Sequence, residues 1–273
     1  MSQQIKAIFI DIDKTLTTSK DKLKMSIDDI HAIKRAQKKG IHIVIATGRS
    51  EVDAFPIHDQ LMFNDFGRHI IHSNGSVLDD RKNNKRYFEK TLPKKLMNQI
   101  IKFAVENNWA LKFSNDDQLY AEHKTFMFKM ISKAFNVDVV PMKTLNSKTA
   151  NQRKVGIVAG NRKQAKKALE MLKEKFDNVE IVLTGQGYYI EITAKGISKY
   201  SAAKFLAKDL GFELSESMAI GDSMNDAMLF KHVGVSVAMA NSMKELFPLS
   251  THQTDSVKKS GVSRAINSLI KKR

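Results

Sequence analysis

Cysteine is absent from the 273-residue chain, which removes disulfides, thiolate metal ligands and cysteine nucleophiles together. Any metal must be held by oxygen or imidazole, and a reducing compartment is consistent with the composition. Long apolar runs are also missing, and the mean hydropathy is -0.33, so no membrane span is expected. The first residues enter a short strand-like run at Ile5 to Ile10 without a basic region and a long apolar segment ahead of it. No secretory signal is expected, and cytoplasmic residence is the expectation. Low-complexity linkers and tandem repeats are absent too.

Acidic residues are the scarcer sign, with 29 Asp and Glu against 45 Lys and Arg, for a formal net charge of +16. Such an excess suits nucleic-acid binding, the gathering of anionic substrates, or a solvated lysine-rich surface. The lysines are spread through every segment, and the densest groups, Lys258-Lys259 and Lys271-Lys272-Arg273, lie near the end of the chain. With no basic-aromatic surface motif, no specific nucleic-acid partner is expected.

What is present is a rhythm of buried strands and amphipathic helices. Ile5, Ala7, Ile8, Phe9 and Ile10 form a nearly continuous apolar run ending in Asp11, the pattern of a parallel strand covered on both faces. From Ser26 the period becomes helical through Ile27, Ile30, Ile33 and Ala36, with Ser26 as cap, Asp29 three residues on and Gly40 as terminator. A second buried strand, Ile41 to Ile45, ends at Thr47-Gly48-Arg49, and a third, His69 to His72, stops at Ser73-Asn74-Gly75. The same rhythm resumes after residue 195 with a helix near Ser198 to Leu210, in which Ala202, Phe205, Leu206 and Leu210 share a face. Then come a strand at Met218 to Ile220, Gly221-Asp222, a helix around Asp226 to His232, a strand through Val233, Val235 and Val237, and two short helices.

The stretch from about 84 to 193 has a different pattern. Helices are predicted at Pro93 to Asn107, Phe126 to Phe135 and Gln164 to Phe176, and strands at 110–113, 119–121, 155–158, 179–183 and 188–193. The spacing predicts a doubly wound parallel sheet built from residues 1–83 and 194–273, with residues 84–193 inserted as a separate α/β cap.

Asp11-Ile12-Asp13-Lys14-Thr15 places two carboxylates at the end of the first strand, where open α/β sheets bind ligands. If the backbone stays extended, both project to one side, and their repulsion calls for a cation or a proton. Magnesium is the expected cation, since it takes a few carboxylates, waters and phosphate oxygens. Thr47-Gly48-Arg49 offers a hydroxyl and turn amides to a phosphate, although Thr-Gly is equally ordinary turn chemistry. Gly221-Asp222-Ser223-Met224-Asn225-Asp226 supplies further carboxylates and an amide, with helix capping as its ordinary role. Lys199 could face a phosphate or simply be solvated. His69 and His72 fall on opposite faces of one strand and make a poor metal pair.

Taken in order, Asp11-Ile12-Asp13-Lys14-Thr15-Leu16, Thr47-Gly48-Arg49, Gly196-Ile197-Ser198-Lys199 and Gly221-Asp222-Ser223-Met224-Asn225-Asp226 resemble the motifs of the haloacid dehalogenase superfamily. The insertion, Ser73-Asn74-Gly75 and Val237-Ala238-Met239-Ala240-Asn241 resemble the Cof-type phosphatases of subclass IIB. The resemblance implies Asp11 as a nucleophile forming an aspartyl-phosphate and Asp13 as acid, then base. It implies Mg2+ held by Asp11, the Asp13 carbonyl and Asp222, with Asp226 in the same loop, and phosphate bound by Thr47, Lys199, Asn225 and the amides of Ile12 and Gly48. The expected partner is a small phosphorylated metabolite, such as a sugar phosphate. Three positions depart from the pattern: Lys14 stands where glycine is usual, Tyr200 replaces a common glycine, and Ser260 precedes Gly261 where an acid is common.

A Mg2+-dependent phosphohydrolase is the leading expectation. A phosphosugar mutase of the same subclass is the alternative enzyme, and a non-catalytic phosphometabolite sensor, suggested by Lys14, is the alternative outside catalysis. The sequence carries no signal of oligomeric state.

Overall fold

Ala7–Ile10 form strand β1, buried at every position, because parallel neighbours flank it and helices cover both of its faces. In the computed structural model, which describes residues 5–18, 21, 23–114, 118–122, 128, 138–145 and 151–270, β1 pairs in parallel with β2 (His42–Ala46) on one side and β12 (Ser217–Gly221) on the other. Ile10 is in register with Ile45 and Ile220. The carboxyl ends of these three strands therefore lie side by side, and Asp11, Thr47 and Asp222 follow them directly.

Parallel pairing continues through β3 (His69–His72) beyond β2, and through β13 (Val235–Met239) and β14 (His252–Thr254) beyond β12. Two antiparallel strands, β4 (Val77–Asp80) and β5 (Lys85–Glu89), complete an eight-stranded sheet of order β14-β13-β12-β1-β2-β3-β4-β5. The alternation along β1 divides the core. Ile8 and Ile10 pack with Ala32, Ile33 and Ala36 of α1 (Ile27–Lys38), Ala54 and Ile57 of α2 (Glu51–Asp59), and Val262, Ala265 and Ile266 of a C-terminal helix. Ala7 and Phe9 pack with Ala202, Ala203 and Leu206 of the helix that begins at Lys199. Helices on both faces of a mostly parallel sheet make the doubly wound architecture that the strand pattern predicts.

Local chemistry explains the helix ends. Ser26 caps α1 by accepting from the Asp28 amide, and Gly40, at φ +77, takes the left-handed turn that follows. Asp29 is not part of a capping box: it is fully buried and accepts a 2.7 Å hydrogen bond from the Ser263 amide instead.

Residues Lys90–Ile197 form the second compact unit, and the rest of the chain forms the first. Lys85–Glu89, placed in the insertion by its sequence, is β5 and is hydrogen-bonded to β4. The two strands make a hairpin whose turn is closed by Asn83 donating to Asp80 and by Asn84 at φ +49. In the second unit β6 (Ala110–Phe113), β7 (Gln118–Ala121), β8 (Asp138–Pro141), β9 (Lys154–Val158), β10 (Val179–Thr184) and β11 (Tyr189–Ala194) form a sheet of order β10-β11-β9-β6-β7-β8. Its pairings are antiparallel apart from β7 with β8. Helices α3 (Lys94–Glu106) and α4 (Arg162–Lys175) bury Met97, Ile100, Ala168 and Leu172 against Leu111, Val155, Ile157 and Ile190. The helix predicted near Phe126 to Phe135 falls outside the described residues apart from Phe128. Among the described residues no helix is long and apolar enough to cross a membrane.

Candidate active site

Three buried carboxylates meet beyond β1 and β12. Asp11, Asp222 and Asp226 place one oxygen each within 4.8 Å of one another. Asp11 is fixed by its amide, which donates to Ile220 O at 3.0 Å. Asp222 leaves β12 through Gly221, where a Cβ would lie 2.2 Å from Asp226 Oδ2. That close approach lets Asp226 Oδ2 accept from the Asp222 and Ser223 amides at 3.1 and 3.3 Å. Asp226 thus braces the loop with one oxygen.

Its other oxygen meets a cation. Lys199 opens helix α5 (Lys199–Asp209), and its Nζ lies 2.7 Å from Asp226 Oδ1 and 2.7 Å from Asp11 Oδ1, with the side chain fully buried. Ser198 caps that helix in a reciprocal arrangement with Ser201, which fixes where the lysine leaves the backbone. The turn Ser73-Asn74-Gly75 is held against the same point, since a Cβ on Gly75 would lie 2.1 Å from the Ser198 carbonyl oxygen.

One ammonium against three carboxylates leaves two negative charges in a buried place. Proton affinities respond accordingly. Burial, reinforced by the charges of Asp226 and Asp13, raises Asp11 from 3.8 to about 7 despite the opposing charge of Lys199. Burial and the charges of Asp11 and Asp226 push Asp222 well above the usual carboxylate range, with Lys14 and Lys199 pulling the other way. Burial opposes the charge on Lys199, but its two carboxylate partners outweigh burial and raise its pKa. The lysine is shared, so it keeps its proton while neither acid is fully compensated. A divalent cation fits that deficit and the all-oxygen donor set.

Asp13 is not brought into this cluster. The strand ends at Ile10, the chain turns so that Lys14 N donates to Thr17 O, and Lys14 sits at φ +60. Arg49 takes the Asp13 carboxylate instead, with Nε 3.0 Å from Oδ2 and Nη2 2.9 Å from Oδ1. A guanidinium thus holds the second carboxylate of the first motif, while its charge still acts on Asp11. Ile12 is buried, and its carbonyl accepts from the Leu16 and Thr17 amides to close the same turn.

Thr47 is buried after β2, where its Oγ1 accepts from the Arg49 amide at 3.1 Å. Gly48 lies half-buried in that turn. Asn225 donates through Nδ2 to Asn74 Oδ1 at 2.9 Å and accepts from Ser223 Oγ at 2.7 Å. Asn74 is buried in the left-handed conformation at φ +57, with its amide on Thr47 O. The structure therefore ties the turn after β3 to those after β2 and β12.

The departures have local accounts. Tyr200 stacks on His232 with ring centroids 3.9 Å apart, and Ser260, at φ +54, places its hydroxyl 2.6 Å from that of Ser26. Two residues of the site had no role assigned from sequence. Arg49 was visible inside its motif, but its partner was not. Asn241, whose Nδ2 donates to Lys14 O and whose Oδ1 accepts from the Val257 amide, ties the turn at Lys14 to the segment at Val257. His69 and His72 do not meet as ligands: His72 Nε2 lies 3.1 Å from Asp79, and His69 approaches Asp80. Glu51, His72 and Asp79 also converge, but Arg86 bridges Glu51 and Asp79 there and supplies the positive charge.

The sheet order and the acidic cluster at the strand ends define a doubly wound α/β enzyme. A profile of haloacid dehalogenase-like hydrolases matches residues 8–266, and the chain belongs to that family. The 5-amino-6-(5-phospho-D-ribitylamino)uracil phosphatase YcsE of Bacillus subtilis is 28% identical over 263 residues, covering 96% of this chain and 94% of that protein. Among solved structures, BT1666 of Bacteroides thetaiotaomicron, described among phosphatases of the haloalkanoate superfamily, matches with a TM-score of 0.82 at 23% identity over 98% of this chain and 96% of that one. The subclass IIB sugar phosphatase BT4131 matches at 0.78 and 21% identity, covering 96% and 98%. These two likenesses show a shared fold.

Proposed function

We propose that this hydrolase removes phosphate from small phosphorylated metabolites through a covalent phosphate on Asp11. The observation that carries the reading is Lys199 Nζ shared at 2.7 Å between Asp11 and Asp226 in a buried cluster short of two positive charges. Such a place holds a carboxylate nucleophile, a dianionic phosphate and a cation together, and holds none of them well alone.

Asp11, Asp222 and the main-chain carbonyl of Asp13 would hold Mg2+, with Asp226 bracing the loop because both of its oxygens are engaged. When bound, the ion neutralises charge on the phosphoryl oxygens. Asp11 attacks phosphorus, and the ester oxygen leaves with a proton from Asp13. Asp13 then takes a proton from the water that attacks phospho-Asp11, releasing inorganic phosphate and restoring the carboxylate. Thr47, Lys199, Asn225 and the Ile12 and Gly48 amides orient the phosphoryl oxygens. The names of YcsE and BT4131, a phosphoribitylamino-uracil phosphatase and a sugar phosphatase, support a small phosphorylated polyol or sugar as substrate. The inserted unit, which interrupts the chain between the second motif and Lys199, is assigned to leaving-group selection.

Phosphate release from p-nitrophenyl phosphate with and without Mg2+ tests this. Wild-type activity should require the ion, and Asp11→Asn should abolish it with the far-UV spectrum unchanged. Near-normal turnover by pure Asp11→Asn protein would sink the nucleophile assignment.

A further inference from the structure

We infer that Arg49 is a positioning residue for Asp13, holding both carboxylate oxygens so that the acid stands where a leaving group receives its proton. The inference rests on the proposed phosphatase reading and adds to it a residue to which that reading gives no role.

The pair is asymmetric. The Arg49 side chain is 8% exposed and that of Asp13 is 55% exposed, so the base is the fixed scaffold and the acid is the presented group. Arg49 is anchored at both main-chain groups, its amide donating to Thr47 Oγ1 at 3.1 Å and its carbonyl accepting from Ser73 N at 2.8 Å. Its guanidinium reaches Asp13, Thr17 and the Asp53 carbonyl. Nε and Nη2 take the two Asp13 oxygens, Nη2 also donates to Thr17 Oγ1 at 3.1 Å, and Nη1 donates to Asp53 O at 3.2 Å. Asp13 and Thr17 are the two ends of one tight turn, bridged to each other. A single planar fork therefore grips both ends of the loop that carries the acid.

That geometry selects arginine. A parallel two-bond pairing fixes the plane of the carboxylate as well as its position, which a lysine point charge cannot do. The chemistry gives it a purpose. As the phosphorus–oxygen ester bond breaks, the proton passes from Asp13 to the leaving oxygen, and a carboxyl held in one plane offers that proton along one direction. Correct alignment eases the transfer, most where the leaving group needs the proton.

The test compares p-nitrophenyl phosphate, whose leaving group needs no proton, with a primary alkyl phosphate, whose leaving group does. Arg49→Ala and Arg49→Lys should each lower kcat/KM for the alkyl ester by about tenfold or more beyond any loss for the aryl ester. Aryl turnover should also develop a pre-steady-state burst of nitrophenolate, because removal of a proton from water by a misplaced Asp13 becomes slow. Thr17→Val, which takes one acceptor from the guanidinium and removes no charge, should move the same ratio at least about twofold in the same direction; it keeps the test open if either Arg49 variant fails to fold. Equal losses on both esters, or a raised KM for both with kcat kept, would overturn the inference. Asp13→Asn separates the two levels. If it shows no leaving-group dependence, the phosphatase reading falls and this inference with it; if it does and the Arg49 variants do not, only the inference falls.

Discussion

The α-carbon of Gly75 faces the Ser198 carbonyl so closely that a Cβ would stand 2.1 Å from that oxygen and 2.9 Å from the Lys199 amide. Gly75 is at φ +90, so an alanine there is strained by backbone as well as by contact. Gly75→Ala should destabilise the protein by about 2–4 kcal/mol. It should also lower turnover, because the obstacle pushes on the residue that carries the shared ammonium. Chemical denaturation and steady-state assays of the same preparation check both effects; a variant with parental stability and activity would show that the two segments separate freely.

Metal dependence and pH should be linked through Asp11. Its folded-state pKa of about 7 lies above the ordinary 3.8, chiefly through burial. A raised acid pKa costs stability once the unfolded chain ionises. Through Asp11 the metal-free protein should therefore lose stability progressively between about pH 4 and pH 7, by an amount on the order of 4 kcal/mol, and the upward displacement of Asp222 adds a loss of the same sign. Lys199 stays charged across the window, its pKa being raised, and adds no slope. Mg2+ competes with the proton, so the rise in Tm on adding Mg2+ should be small near pH 4.5 and largest above pH 7. A rise independent of pH would exclude Asp11 as a ligand.

Lys14 carries the left-handed conformation at φ +60 in a turn where glycine is unstrained. Lys14→Gly should raise stability by about 0.5–1 kcal/mol and leave turnover within a few-fold, since Asn241 binds the carbonyl at that position and not the side chain. Turnover rising from undetectable to clearly measurable would identify the native protein as a phosphometabolite binder.

Each compact unit has its own hydrophobic core: Ile8, Ile33 and Ile266 belong to the first unit, and Met97, Ile157 and Leu172 to the second. Replacing residues 90–197 with a short linker should then leave a folded core that still hydrolyses p-nitrophenyl phosphate. Differences in kcat/KM among phosphorylated metabolites should flatten, because the core residues address the phosphoryl group common to all. A folded, active variant keeping the parent's full order of preference would place selectivity in the core.

Legibility in the sequence followed burial and charge. The strands β1, β2 and β12 were readable because both faces are covered, so their apolar runs are unbroken. β4 was not, since it ends in Asp79 and Asp80. Both aspartates are buried, and both are compensated across strands: Asp79 by His72 and Arg86, and Asp80 by Arg68. Local sequence shows the acids and hides the partners. Helix α2 was obscured in a similar way by Pro56 in its interior. At the site, Asp11, Asp222 and Lys199 follow from motif order, whereas the capture of Asp13 by Arg49 depends on where a turn leaves the strand, which spacing alone does not encode.

The two borders of the eight-stranded sheet bear on how copies of the chain meet. On one side β14 is three residues long, with His252 and Gln253 exposed; on the other β5 begins with exposed Lys85 and Arg86 and ends in exposed Glu89. A border that short, or that charged, gives an incoming strand little to template on. With a net charge of +16 on every molecule, like copies also repel at low ionic strength. Concentrated solutions should therefore stay dispersed at low salt, and when salt does bring molecules together, continuation of this sheet from one copy into the next is not how they should join.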